Sequence, residues 1–302
     1  MDKGLKEEII QLKKEKNAVI LAHYYVDGEI QEIADYIGDS FYLSKLAVST
    51  DYDTIIFCGV SFMGESAKLL NPDKTVLMPD PLADCPMAHM AEADKIKELR
   101  ERYDDLAVVC YINSTAALKE LSDVCVTSAN ALQIVKALPN KHIYFIPDEN
   151  LGRYIASQLP EKDFIFNDGF CHVHTAITKD KILAAKDCHP NALVLMHPEC
   201  TMEALEEADY IGSTSGILSY AGKSPCEEFI IATETGIFYE LQKKYPDKHF
   251  YPVHEQQTCP GMKQITLEQI LACLKENCNP VEISDAQLTK ANAPLTRMLE
   301  LA

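Results

Sequence analysis

Cys85, Cys171 and Cys259 are the residues of this sequence best placed to do chemistry. They stand 86 and 88 residues apart, each in a polar loop after a short strand-like segment. Cys171 lies in FNDGFCHVH (166–174), between an aromatic residue and a histidine and just after an Asp-Gly turn. One such cysteine alone is explained as well by packing, because free Cys is commonly buried. Recurrence at matched positions is not. Three thiolates meeting in a reducing compartment call for a metal. Four ligands would suggest a closed zinc site or an electron-transfer cluster. Three soft sulfurs fit a [4Fe–4S] cluster with one iron left open, which can bind a substrate oxygen as a Lewis acid. The competing arrangement is a Cys₃His zinc site with His174 or His89 as fourth ligand. Cys58, Cys110, Cys125, Cys188, Cys200, Cys226, Cys273 and Cys278 read as packing residues.

A second set could hold an anion. Ser40, Ser128 and Thr214 stand just before expected helices, where a hydroxyl caps the helix and free N–H groups attract negative charge. Singly, each is an ordinary N-cap; three on one axis would form a cup for carboxylate or phosphate. A third set ends the hydrophobic runs LAHYY (21–25), VCYIN (109–113) and LMHPE (195–199). It supplies His23 with Tyr25, Tyr111 with Asn113, and His197 with Glu199. Alternation in a strand would turn His197 and Glu199 the same way, an arrangement suited to proton transfer. A bland ion pair at a strand end is the alternative.

These sets follow from a threefold repeat. ADYIGDS (34–40) recurs as ADYIGST (208–214), and SDVCVTS (122–128) lies midway. IIFCGV (55–60), IYFIPD (143–148) and IIATET (230–235) form a further set. Each copy reads as strands alternating with helices: in the first, strand 18–22, helix 29–37, strand 54–57, helix 62–70 and strand 75–78. Continuous apolar strands between helices imply parallel sheets covered on both faces. The expected fold class is α/β: three homologous modules with short parallel sheets about a pseudo-threefold axis, the site at the centre. The modules span 1–86, 87–172 and 173–263, with the C-terminal helices of 264–302 packing back on the first. Ligands collect at the carboxyl ends of such strands.

Composition narrows the rest. The 302 residues are 47% hydrophobic and 25% charged, as in soluble globular proteins. A net charge of −18, with only four arginines (Arg100, Arg102, Arg153, Arg297), argues against nucleic acid. No apolar run reaches the roughly 20 residues that cross a bilayer, so no membrane partner is expected. The charged opening segment reads as an amphipathic helix and not a signal peptide. A cytoplasmic location follows, and there the eleven cysteines are poor disulfide candidates.

Along almost its whole length the sequence resembles the quinolinate synthase family, which makes the pyridine ring in de novo NAD synthesis. The shared motifs are LAHYY, GDS (38–40), CPMA (85–88), YINST (111–115), TSAN (127–130), CHVH (171–174), HPEC (197–200), GST (212–214) and CPGMK (259–263). The resemblance implies condensation of iminoaspartate with dihydroxyacetone phosphate to quinolinate, releasing phosphate and two waters, and a functional link to an aspartate oxidase. It places cluster ligands on Cys85, Cys171 and Cys259. Substrate contacts fall on His23, Ser40, Tyr111, Asn113, Ser128, His197, Glu199 and Thr214, and catalytic roles on Glu199, Tyr25, His23 and Tyr111. Tyr24 departs from the Asn common in the family and should point away from its neighbours' face. The loop of Cys259 lacks the extra cysteines some members carry. Two rivals are another cluster-dependent hydro-lyase on a carboxylic acid and a non-catalytic iron–sulfur sensor. The sensor would need a basic patch or an exposed partner surface, and the sequence shows neither.

Overall fold

A computed structural model describes residues 2–302. Twelve strands form three four-stranded sheets, all parallel among the described residues. The first holds β1 (Ala18–His23), β2 (Tyr36–Gly38), β3 (Thr54–Cys58) and β4 (Thr75–Leu77). The second holds β5 (Ala107–Tyr111), β6 (Val124–Val126), β7 (His142–Ile146) and β8 (Asp163–Phe166). The third holds β9 (Leu193–Met196), β10 (Tyr210–Ile211), β11 (Glu228–Ala232) and β12 (His249–Pro252). In each sheet the first strand lies between the second and third, and the fourth is at the edge. The central strands β1 and β5 are buried at every residue, as expected of parallel strands covered on both faces.

The repeated aspartates make the three sheets alike. Asp35, Asp123 and Asp209 precede the second strands, and each accepts the main-chain N–H of a first strand: Ile20 (2.9 Å), Val108 (2.7 Å) and Val194 (2.7 Å). Each also donates its own N–H to the same residue's carbonyl, at 2.9 Å in all three copies. This pairing ends the first helix earlier than its periodicity predicts. The helix stops at Ile33, and Tyr36–Gly38 joins β1 as an edge strand. The apolar spacing of Ile33, Ala34 and Ile37 suits either element, and the bonds to Ile20 select the strand.

Lysines repeat as well. Lys74, Lys162 and Lys248 precede the fourth strands and donate to carbonyls ending the helices Ser40–Ser49, Ala131–Ala137 and Thr214–Lys223. A cation there meets the negative helix end and its free carbonyls.

The first two sheets and the C-terminal helices share one hydrophobic core, whereas the third sheet has a separate cluster on each face. Helix Leu267–Glu276 packs on helix Asp2–Glu15. Helix Asp285–Leu301 lies across β6, helix Ala116–Lys119 and helix Ser61–Leu70, so it bridges the first and second sheets. Among the described residues no helix is long and apolar enough to cross a membrane.

Candidate active site

The carboxyl ends of strands from all three sheets open into one cavity. Its wall includes Cys85, Cys171 and Cys259, and also His23, Tyr25, Ser40, Tyr111, Asn113, Ser128, His197, Glu199 and Thr214. His23 and Tyr111 are the last residues of β1 and β5, and His197 follows β9 directly. Tyr24 lies outside the cavity, packed with Leu195 and Ile217 of the third sheet's cluster. The loops of Cys85 and Cys259 meet main chain to main chain: a Cβ on Gly261 would stand 2.3 Å from the carbonyl oxygen of Asp84. Only glycine permits that approach.

Two local expectations need correction. Ser40 and Thr214 do not cap their helices; each is the first helical residue. Asp39 takes the cap of the first, accepting from Tyr42 N (3.0 Å), and Ser213 takes the cap of the second, accepting from Gly216 N (3.2 Å). Ser128 stands two residues before Asn130, which precedes helix Ala131–Ala137. None of the three hydroxyls caps a helix, and all three residues line the cavity. Thr214 Oγ1 meets the Tyr25 hydroxyl at 2.7 Å, and Ser128 Oγ meets His197 Nε2 at 3.1 Å. The second correction concerns His197 and Glu199. They lie in the turn after β9, not in the strand, and the turn brings His197 Nδ1 to 3.9 Å from Glu199 Oε2.

Glu199 is the electrostatic centre. Its side chain is 4% exposed and accepts from the Tyr111 hydroxyl (2.5 Å) and from His174 Nδ1 (2.7 Å). Burial works to raise its carboxyl. The imidazoles of His174 and His197 and the Tyr111 hydrogen bond outweigh that and hold it far below the usual carboxylate range. Burial pushes His197 down to about 3 and His23 down to about 3, despite the nearby carboxylate, so both rings are neutral near pH 7. Burial, then Glu199, lifts the phenols of Tyr25 and Tyr111 well above their usual value. The site therefore sets an ionised base among neutral donors.

A hydrogen-bonded chain links these groups. Beyond Glu199, His174 places Nε2 at 2.9 Å from Thr233 Oγ1, which lies 2.7 Å from the Tyr25 hydroxyl. Carboxylate, imidazole, hydroxyl and phenol thus connect in sequence. With Nδ1–H donating to Glu199, Nε2 is left to bond Thr233 Oγ1. The repeat does not single out Thr233 or Glu234; both fall in IIATET, and the strand register sets Glu234 at the place of Asp148 in IYFIPD. An acidic residue after the third strand in two copies was the available signal.

Cys171, His174 and Glu199 each offer a donor atom within 4.8 Å of the others, a grouping compatible with a metal. His174 Nδ1 lies 3.2 Å from Cys171 Sγ. His89 is absent from the cavity wall; its Nε2 pairs with Asp84 at 2.8 Å on the surface. Burial, then Cys259, pushes the Cys85 thiol up to about 12; burial, then Glu199 and Cys85, pushes Cys171 well above its usual value. The three thiols are free of disulfides.

The quinolinate synthetase A protein family model matches residues 7–300. The quinolinate synthase of Fusobacterium nucleatum is 53% identical over 99% of this chain and 99% of its own. That of Clostridioides difficile is 50% identical over 100% of this chain and 99% of its own. That of Caldicellulosiruptor saccharolyticus is 49% identical, covering 99% and 98%.

Proposed function

The chain belongs to the quinolinate synthase A family and is an enzyme of NAD biosynthesis, and we propose that its central cavity condenses iminoaspartate with dihydroxyacetone phosphate to quinolinate. Phosphate and two waters leave. An aspartate oxidase is the class of enzyme that would supply the iminoaspartate, in the cytoplasm. The three modules, divided at 86, 172 and 263 with 264–302 packing back, sit about a pseudo-threefold axis that passes through the cavity.

Cys85, Cys171 and Cys259 are the residues to hold a [4Fe–4S] cluster. Three free thiols in one cavity wall support this, as does the soft character of sulfur donors. Burial keeps these thiols protonated in the bare protein, and a bound cation reverses that preference. When bound, the cluster supplies a Lewis-acidic iron without a protein ligand.

The protein's own groups do the rest. Both substrates are anionic, and the chain meets them with hydroxyls and helix N-termini in place of arginine. Ser40, Ser128 and Thr214 donate to carboxylate or phosphate oxygens, together with free N–H groups opening helices Ser40–Ser49 and Thr214–Lys223. Asn113 Oδ1 is buried with no partner, and a substrate N–H or O–H satisfies it. His23 and His197, neutral, serve as N–H donors. Glu199 removes the carbon-bound proton during tautomerisation and dehydration. Tyr25 supplies a proton to the departing hydroxyl and regains one through Thr233 and His174. Tyr111 holds Glu199 in place.

The observation carrying this reading is the ionised Glu199, which shares one cavity with three thiols, the neutral imidazoles of His23 and His197 and the phenols of Tyr25 and Tyr111. The test is anaerobic incubation of cluster-loaded protein with both substrates, following quinolinate by chromatography and mass. Quinolinate should accumulate over many turnovers. Cluster-loaded protein that makes none would sink the assignment.

A further inference from the structure

Two buried carboxylates near the thiols have no part in the reaction as described. Asp148 follows β7 and Glu234 follows β11, at matched places in the second and third modules. Each is 0% exposed. Burying a carboxylate costs several kcal/mol unless hydrogen bonds replace its water, so each position needs a reason.

The bonds supply it. Asp148 Oδ2 accepts the main-chain N–H of Cys171 at 3.2 Å, and Glu234 Oε1 accepts that of Cys259 at 3.1 Å. The second oxygen of each binds its own module: Asp148 Oδ1 accepts from Leu151 N (2.6 Å), and Glu234 Oε2 accepts from Gly236 N (2.6 Å). Each carboxylate therefore clamps a cysteine loop to the end of a central strand. In the second module the clamp is close, since a Cβ on Gly169 would stand 2.4 Å from Pro147 O. Lys263 Nζ lies 3.4 Å from Glu234 Oε1 and donates to Tyr25 O at 2.8 Å, tying the third loop to the first module. The first module differs. Val60 stands at the matching place, and the acid there is Asp84, next to Cys85 and half-exposed.

We infer that Asp148 and Glu234 are positioning residues for the sulfur ligands, holding Cys171 and Cys259 through their main-chain N–H groups so that the thiols stay set for iron. This rests on the cluster reading given above. Groups that orient a metal's ligands typically matter about 10–100-fold in metal affinity.

The experiment measures iron release from anaerobically purified protein to a ferrous chelator, alongside the melting temperature. Glu234→Ala and Asp148→Ser remove the bonds to the cysteines; serine still caps the helix after Asp148 but is too short to bridge to Cys171. Both should release iron about 10–100-fold faster than the unaltered chain. Glu234→Gln and Asp148→Asn keep an oxygen acceptor and should release it nearly as slowly as the unaltered chain. Asp209→Ala removes a comparable carboxylate–N–H bond away from the thiols and serves as the stability control. Unchanged release from Glu234→Ala and Asp148→Ser, or equal acceleration in Asp209→Ala, overturns the inference while leaving the cluster intact. Unaltered protein lacking iron and sulfide overturns the cluster reading, and this inference falls with it.

Discussion

The Tyr111 hydroxyl, from the last residue of β5, donates to Glu199 Oε1, in the turn after β9, across 88 positions of sequence. These are groups from two copies of one strand end, and they meet because the sheets converge. The bond sets the carboxylate's orientation, and the imidazoles keep it ionised. Glu199→Gln preserves size and hydrogen-bonding reach but removes the base. It should keep its iron and bind substrate, yet lose at least about a hundredfold in kcat. Near-normal turnover in cluster-loaded protein would pass the role to Tyr25 or His23.

Thr233 is tested by its hydroxyl alone. Thr233→Val retains the shape and breaks the path from His174 to Tyr25. We expect kcat to fall about 10- to 100-fold with KM little changed, since proton transfer and not binding is impaired. A rise in KM at constant kcat would make Thr233 a binding group instead.

Cysteine exchange separates ligation from packing. Cys171 opens on the cavity, whereas Cys188 ends an exposed helix face. Cys171→Ser should abolish the brown iron–sulfur absorption and Cys188→Ser should leave it intact. Equal loss from both would remove the distinction between them.

Much of this site was legible because the chain says the same thing three times. The match of ADYIG at 34 and 208 reports an aspartate gripping a neighbouring strand, a bond any working copy must form. The same spacing placed the three cysteines and the strand-end groups around one cavity. What escaped was set by tertiary contact. Ser40 and Thr214 have the residue type of a cap, but Asp39 and Ser213, one place earlier, take that bond. His174 reads as a metal ligand beside Cys171, and only its packing against the ends of β9 and β11 shows it bonded to Glu199 and Thr233. Lys263 ends the motif CPGMK, and only its contact with Tyr25 O shows what it ties together.

Acid stability follows from the two neutral histidines. Burial holds His23 and His197 at about 3 in the folded chain, against roughly 6.5 when unfolded. Between those values the unfolded chain binds more protons, so stability rises with pH and is lost as pH falls from about 6.5 towards 3. Each histidine contributes a slope of about 1.4 kcal/mol per pH unit within the window. Urea unfolding of the apo-chain at pH 5 and 6 should show His197→Gln with a slope shallower by about one proton. An unchanged slope would mean that His197 is charged in the fold.

The final prediction separates cavity hydroxyls from caps at adjacent residues. Ser213 Oγ accepts Gly216 N and sustains helix Thr214–Lys223, whereas Thr214 Oγ1 faces Tyr25 within the cavity. Losing a cap typically costs about 1 kcal/mol, and Ser213→Ala should lower the melting temperature accordingly. Thr214→Ala and Ser128→Ala remove no cap, so their melting temperatures should change less while KM for the anionic substrates rises about tenfold or more. Each lost hydrogen bond to a charged group is worth about 1.5–3 kcal/mol, enough for roughly a tenfold or larger loss of affinity. Thermal melts and initial rates on the three proteins decide the matter. A lowered melting temperature with unchanged KM in Thr214→Ala would make that hydroxyl a structural tie to Tyr25 and remove it from the anion site.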